Sequence, residues 1–176
     1  MNAQTPIFGI TGWKNSGKTR MVAALVSEFS ARGLTVSTVK HAHHSFDIDH
    51  EGTDSWQHRK AGAREVALVS RNRWALMHEL ENEDEPPLAD ILTKLAPCDL
   101  VLIEGFKREG HPKIEMIRKE ASRDAPLWPD DPSIVVIGST DRPEKCDLPV
   151  IDPESIAEIA DFITEFLKLN KQNAAE

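Results

Sequence analysis

The sequence is poor in cysteine and has no long apolar run. Its two cysteines, Cys98 and Cys146, lie far apart and beside apolar residues, which favours buried free thiols over a disulfide framework or a metal knuckle. No apolar stretch approaches the roughly 20 residues that cross a bilayer. Residues 1–6 lack the basic start and apolar core of a signal peptide. We therefore expect a cytoplasmic protein without membrane association.

The sequence also contains fewer basic than acidic residues. The 176 residues include 21 Lys and Arg against 29 Asp and Glu, which gives a net charge of -8. A protein that coats nucleic acid needs clustered Lys and Arg, so we expect no nucleic-acid partner. A small anionic ligand remains compatible, because a local cradle can bind phosphate on an acidic protein. The chain shows no repeat or linker, and its length predicts a single domain, residues 1–176.

The most informative stretch is Pro6 to Thr19, which contains G-W-K-N-S-G-K-T at Gly12 to Thr19. This octapeptide matches the phosphate-binding loop G-x-x-x-x-G-K-[ST] at every specified position. A short apolar run before it predicts a buried strand, and apolar residues at helical spacing follow it. These are Ile7, Phe8 and Ile10 before the loop, and Met21, Val22, Leu25, Val26 and Phe29 after it. The loop therefore joins a strand to a helix.

Each position of this loop has a physical role. Gly12 and Gly17 let the backbone curl so that successive N–H groups face inward, and the helix N-terminus adds its own amides. Lys18 can reach the terminal phosphates, and the Thr19 hydroxyl can bind magnesium. We predict that the loop binds a nucleoside triphosphate with Mg²⁺ through Gly12, Lys14, Asn15, Ser16, Gly17, Lys18 and Thr19.

The elements that follow predict an α/β fold. A helix from about Gly17 to Arg32, ended by Gly33, leads to a β-branched strand at Leu34 to Lys40. Strand, helix and strand in this order form a βαβ unit, whose strands are parallel. We predict a P-loop NTPase fold, with a mostly parallel sheet flanked by helices. Glu65 to Ser70 and Trp74 to Leu80 predict an antiparallel hairpin within that sheet.

A second informative stretch is Asp99 to Gly105, a wholly apolar strand that ends in Glu104. In proteins with a phosphate-binding loop, the strand beside the first one ends in an acid that holds magnesium. We assign this role to Glu104. Lys107 follows directly, where it could meet phosphate or a second anionic partner.

The remaining pattern predicts three more strands and a final helix. Lys113 to Arg118 alternates, with Ile114 and Met116 on one face, and Ser133 to Ser139 predicts another buried strand. Val150 and Ile151 form a brief strand. Asp152 is predicted to cap the final helix with Pro153 in its first turn, and the buried stripe of that helix consists of Ile156, Ile159, Ala160, Ile163, Phe166 and Leu167.

The segment from His41 to Gly52, H-A-H-H-S-F-D-I-D-H-E-G, follows the second predicted strand. Open α/β sheets place ligands at the carboxyl ends of their strands. The segment is interpreted as a solvated or substrate-facing loop, with a zinc site as the alternative. Asp47, or else Asp49, could contribute to the magnesium shell.

The base and the reaction are less well defined by the sequence. The guanine-binding pattern N-K-x-D has only a near match at Asn170 to Asn173, which ends in Asn and lies beyond the last helix. Gly138 to Arg142 are better placed to contact a base, but spacing does not choose between ATP and GTP. No D-x-x-G-Q segment is evident to position a water, so we expect slow intrinsic hydrolysis and assign no catalytic residue.

Four segments in order carry a family resemblance: G-W-K-N-S-G-K-T, K-H-A-H-H-S-F-D-I-D, G-T-D-S-W-Q-H-R-K-A-G-A and D-L-V-L-I-E-G-F-K. Together with P-K-I-E at Pro112 to Glu115, they resemble the MobB family, molybdopterin-guanine dinucleotide biosynthesis adapter proteins. The resemblance implies a homodimeric, GTP-binding protein with weak GTPase activity that assists attachment of GMP to molybdopterin. The implied partners are molybdopterin guanylyltransferase and molybdopterin.

By matching position, the resemblance implies that Gly12 to Thr19 hold the phosphates of GTP and that Thr19 and Glu104 serve Mg²⁺. We further expect His43, His44 and Lys107 to contact a pterin phosphate or the partner enzyme. Two alternatives belong to other classes. A small-molecule kinase could use the same loop, and a metal-dependent hydrolase could be built on His41 to His50.

Overall fold

The computed structural model of the chain describes residues 5–42, 47, 49–118 and 125–169. Its elements in chain order are β1 (Ile7–Thr11), α1 (Lys18–Ala31), β2 (Val36–Lys40), α2 (Asp54–Lys60), β3 (Glu65–Val69), β4 (Trp74–His78), α3 (Leu88–Thr93), β5 (Leu100–Glu104), β6 (Lys113–Met116), β7 (Ile134–Gly138), β8 (Val150–Ile151) and α4 (Ile156–Leu167). Within these ranges, no helix is long and apolar enough to cross a membrane.

The chain divides into two compact units. The first comprises Met1–His41 and Leu95–Glu176, and the second comprises Ala42–Lys94. The first unit carries the phosphate-binding loop and a six-stranded sheet, whereas the second carries a two-stranded sheet. The single domain expected from the sequence stays a prediction.

The first unit is built on a sheet with the strand order β2-β5-β1-β6-β7-β8. Every pairing in it is parallel. The register sets Ile10 of β1 and Lys40 of β2 opposite Glu104 of β5. The carboxyl ends of β1, β2 and β5 therefore meet at one edge of the sheet. The predicted α/β fold with a mostly parallel sheet is confirmed.

The core of this unit lies between the sheet and the helices α1 and α4. Met21, Leu25 and Phe29 are the buried residues of α1, and they recur at the helical spacing seen in the sequence. On α4 the buried residues are Ile159, Ala160 and Ile163. Both sets belong to one apolar cluster with residues of the central strands, including Phe8, Ile10, Leu100, Leu102 and Ile114. This packing fixes the helix that follows the phosphate-binding loop.

Two predictions about the carboxyl-terminal half are corrected by the structure. The final helix begins at Ile156, with Ser155 as its N-cap residue, rather than just after Asp152. Asp152 Oδ1 accepts a hydrogen bond from the backbone N–H of Glu154 at 2.8 Å, so it closes a local turn instead of capping the helix. In β6, the expected polar face is also buried, because Lys113 and Glu115 are 0% and 1% exposed.

The second unit contains α2, the β3–β4 hairpin and α3. The predicted hairpin is confirmed, with Val66 paired to Met77 and Val69 paired to Trp74. It forms its own two-stranded sheet instead of joining the parallel one. Thr53 caps α2, since its side chain accepts a hydrogen bond from the backbone N–H of Trp56. Asp54 lies in the first turn of the same helix, where a negative charge is favourable.

Candidate functional site

The loop between β1 and α1 has a shape that requires glycine at Gly12. The φ angle of Gly12 is +133°, and a Cβ there would lie 2.5 Å from the carbonyl oxygen of Met116 and 2.8 Å from Ser16 Oγ. Asn15 and Gly17 also have positive φ, at 64° and 93°. Gly17 is the N-cap residue of α1 and offers no side chain to its free amides. These amides are available to an anion, as the sequence motif predicts.

Lys18 begins α1 and folds back over the loop. Its Nζ donates a hydrogen bond to the carbonyl oxygen of Trp13 at 2.7 Å. Burial lowers the pKa of Lys18, and the nearby ammonium groups of Lys107 and Lys40 lower it further, whereas Glu104 raises it. Three lysines thus lie around one loop, and binding of a polyanion would relieve their mutual repulsion.

Thr19 and Glu104 are brought into contact although they are far apart in sequence. Thr19 Oγ1 donates a hydrogen bond to Glu104 Oε1 at 2.8 Å. Lys40 Nζ lies 3.1 Å from the same carboxylate oxygen, and Glu104 itself is 8% exposed. A hydroxyl and a carboxylate are hard oxygen donors of the kind that magnesium prefers, so this pair fits the ion predicted from the sequence.

Lys107 lies beside the same loop, on the segment that follows β5. Its Nζ is 3.9 Å from the centre of the Trp13 ring, which is a cation–π contact. Trp13 Nε1 in turn donates a hydrogen bond to the carbonyl oxygen of Ala125 at 2.8 Å. The contact holds the Lys107 ammonium next to the phosphate-binding loop, where the sequence predicted an anion contact.

Sequence reasoning missed the group that holds this segment in place. Lys113 is fully buried, and its Nζ donates hydrogen bonds to the carbonyl oxygens of Lys107, at 3.1 Å, and of Glu109. It also pairs with Asp131 Oδ2 at 3.3 Å. Its neighbour Glu115 accepts hydrogen bonds from the backbone N–H groups of Leu127 and Trp128. The one feature of the sequence that could have indicated it was the presence of two charged residues, Lys113 and Glu115, in a predicted strand. Such residues normally indicate a face exposed to solvent.

Asp47 and Asp49 have partners within the second unit. Arg59 donates two hydrogen bonds to Asp47, each at 2.9 Å, and its Nε lies 3.5 Å from Asp49 Oδ2. The Arg59 guanidinium, chiefly through hydrogen bonding, lowers the pKa of Asp47. Hydrogen bonds from Thr53 and Ser55 help to lower the pKa of Asp49. Protein side chains therefore balance the charge of both carboxylates without a metal ion. A magnesium role for Asp47 stays a prediction.

The histidine-rich segment is described only in part. We expected His43 and His44 to contact a pterin phosphate or the partner enzyme. Both lie outside the described residues. The His41 ring packs against Phe106 with a centroid distance of 4.7 Å. Among the residues that the structure describes, no group of three or more His, Cys, Asp or Glu side chains is arranged to hold a metal ion.

The model of the family MobB, described as molybdopterin guanine dinucleotide synthesis protein B, matches residues 7–140. The chain belongs to the MobB family. The resemblance seen in the sequence is thereby confirmed, and so is a role in molybdopterin guanine dinucleotide biosynthesis. The matched range includes the phosphate-binding loop, β5 with Glu104, and both strands of the hairpin.

Relatives and solved structures agree with the family match. The chain is 41% identical over 170 residues to the molybdopterin-guanine dinucleotide biosynthesis adapter protein of Haemophilus influenzae, covering 95% of this chain and 92% of that protein. It is 34% identical to the Escherichia coli protein of the same name, covering 96% and 95%. A crystal structure of molybdopterin-guanine biosynthesis protein B superposes with a TM-score of 0.71 at 25% identity, covering 92% of this chain and 99% of that one. The Bacillus subtilis MobB structure gives 0.70 at 23% identity, covering 94% and 99%, and supports the fold.

Proposed function

We propose that this MobB-family chain is a GTP-binding adapter that assists attachment of GMP to molybdopterin. The observation that carries the proposal is the contact of Thr19 with Glu104 beside the glycine-shaped loop. This arrangement combines main-chain amides, a lysine and an oxygen donor pair, which are the groups needed to hold a triphosphate with its divalent ion. The names of the relatives supply the pathway.

The phosphates are proposed to lie over the loop from Gly12 to Thr19. The amides at the start of α1 face them, and Lys18 exchanges its hydrogen bond with the Trp13 carbonyl for one with a phosphate oxygen. Lys40 and Lys107 add positive charge near Lys18. Lys14, Asn15 and Ser16 complete the proposed set.

Magnesium is proposed to bind Thr19 Oγ1, with Glu104 as the nearby acid. When bound, the ion would neutralise charge on the phosphates and orient them. The proposed set lacks a group to position an attacking water, so the proposed GTPase activity is weak and no catalytic residue is assigned.

The proposed partners are molybdopterin guanylyltransferase and molybdopterin. Lys107 is held beside the loop by its contact with Trp13, which supports a role in meeting a second anionic group. We propose that His43 and His44 act with it, and that the protein works in the cytoplasm. The chain is also proposed to be a homodimer, because the β3–β4 hairpin leaves large apolar side chains exposed.

The proposal is tested by calorimetric titration of GTP and ATP, with and without magnesium, into three proteins. The wild type is expected to bind GTP in the micromolar range, on the order of -8 kcal/mol. Lys18→Ala should largely abolish binding. Glu104→Gln should retain binding without magnesium and lose the gain that magnesium gives. Failure of the folded wild type to bind any triphosphate would overturn the proposal.

A further inference from the structure

A pocket lies against the phosphate-binding loop, on the side of β1 away from β5. Its volume is about 100 Å³, and it is partly open to solvent. The start of α1 forms one wall with Ser16, Gly17 and Arg20, and Met116 at the end of β6 forms another. Pro153 and Glu154, which follow β8, close the far side. The pocket is therefore continuous with the loop.

The sheet order determines which part of a nucleotide this pocket would receive. β5 and β6 lie on opposite sides of β1. The magnesium pair Thr19 and Glu104 is on the β5 side, so the end of the triphosphate that carries the ion lies there. The nucleoside at the other end then extends toward β6, where the pocket is.

The lining of the pocket suits a flat heterocycle with a polar edge. Met21, Ala24 and Ile156 provide apolar surface, and Glu154 and Arg20 provide charge. Arg20 and Glu154 pair across the pocket, with 2.6 Å between Nη2 and Oε2. Ser16 is 6% exposed, and its Oγ has no hydrogen-bond partner among the described residues. A buried polar atom without a partner is costly, so a ligand that reaches it would gain free energy.

We propose that this pocket binds the purine base of the nucleotide and that Glu154 determines the preference for guanine. This inference rests on the proposed function, because it places the base of a nucleotide whose phosphates occupy the loop. A carboxylate has only acceptors, and its two oxygens accept a matched pair of hydrogen bonds. Guanine presents N1–H and the 2-amino group side by side, whereas adenine presents an acceptor at N1. Glu154 lines the pocket, and its carboxylate pairs there with Arg20.

Gly138 to Arg142, the residues that we expected from the sequence to contact the base, form hydrogen bonds with neighbouring residues of the chain. Arg142 donates hydrogen bonds to the carbonyl oxygens of Cys146, at 2.6 Å, and Leu148. The backbone N–H of Asp141 donates a hydrogen bond to Ser139 Oγ at 3.4 Å. Ser139 and Arg142 are thus engaged in bonds of the segment that follows β7, whereas Glu154 lines the pocket.

The test is a titration of GTP, ITP, XTP and ATP into the wild type, Glu154→Gln and Glu158→Gln, each with magnesium. Glu154→Gln should weaken GTP binding roughly 10- to 100-fold and leave ATP binding unchanged. It should strengthen XTP binding, because a Gln amide can accept from N1–H and donate to the 2-oxo group of xanthine. ITP, which lacks the 2-amino group, should bind the wild type more weakly than GTP. Glu158→Gln removes an exposed acid in the first turn of α4, outside the pocket lining, and should change none of these affinities.

The outcomes separate this inference from the proposed function. Glu154 is exposed and its replacement is isosteric, so thermal melts of the two variants should match the wild type. If Glu154→Gln keeps the wild-type preference among the four nucleotides while Lys18→Ala abolishes binding, the base lies elsewhere and only this inference is overturned. If the wild type binds no triphosphate, both fail.

Discussion

Single side chains of β6 show how a buried charge can position a functional segment. Lys113 loses its hydration when it is buried, which costs several kcal/mol unless polar partners compensate. The carbonyl oxygens of Lys107 and Glu109, together with Asp131, provide these partners. The ammonium thereby ties the segment that carries Lys107 to the sheet. The position of Lys107 over the Trp13 ring therefore depends in part on Lys113.

His111 gives a prediction for the pH dependence of stability. Its ring is 7% exposed, neither ring nitrogen has a hydrogen-bond partner among the described residues, and burial lowers its pKa to about 4. Because the unfolded chain titrates near 6.5, it binds the proton first as pH falls from about 6.5 to about 4. The histidine's contribution to stability is present above this window and lost within it. The loss should reach about 3 kcal/mol, measured by urea unfolding at several pH values.

A His111→Gln variant isolates this effect, since it removes the titrating ring and leaves the carboxyl groups that titrate in the same range. The variant is expected to be less stable than the wild type at neutral pH and to lose less on acidification. Equal pH slopes for the two proteins would show that His111 does not titrate as proposed.

The β3–β4 hairpin is an element whose exposed side chains need an explanation. Trp74 is 72% exposed, Val69 is 80% exposed, and Leu76 is 51% exposed. The pairs Val69 with Trp74 and Ala67 with Leu76 place these residues on one face. An isolated two-stranded sheet is marginally stable in water, so a second copy of the chain covering this face would stabilise it.

Trp74→Glu is expected to convert the proposed homodimer to a monomer, because it places a charge in an apolar interface. Sedimentation velocity across a concentration series measures the change. Asn72→Glu, in the turn of the same hairpin, adds the same charge away from that face and should leave the dimer intact. A wild-type protein that is monomeric at every concentration would contradict the prediction.

At the scale of the whole protein, the net negative charge and the lysines at the phosphate-binding loop have opposite effects on the binding of anions. The net charge of -8 disfavours general binding to polyanions, whereas Lys18, Lys40 and Lys107 concentrate positive charge at one place. This charge distribution suits the proposed binding of one polyphosphate ligand.

This leads to a prediction for the complete reaction with the guanylyltransferase, molybdopterin, GTP and magnesium. The wild-type protein should increase the rate of GMP attachment, and Lys18→Ala should remove most of that increase because it no longer holds the nucleotide. Lys94→Ala, an exposed lysine after α3, is the matched control. Full stimulation by Lys18→Ala, measured by product chromatography, would separate the adapter role from nucleotide binding.

The features that the sequence determined by itself are those set by neighbouring residues. The glycines and Lys18 of the loop, the apolar spacing of α1 and the apolar run of β5 depend on backbone freedom and local burial, so they could be predicted from the chain alone. The final helix was predicted as well, but its start and cap were not, because the carboxylate of Asp152 accepts a hydrogen bond from Glu154 in a local turn that competes with capping.

Tertiary structure decided which distant residues meet. Thr19 and Glu104 are 85 positions apart, and they touch because β5 lies between β1 and β2 with its carboxyl end in register with both. Burial of Lys113 and Glu115 likewise depends on what covers each face of β6. Glu154 lies near the start of α1 because the segment after β8 packs there. Strand order and burial arise from the packing of the entire sheet, so a local sequence pattern does not determine them.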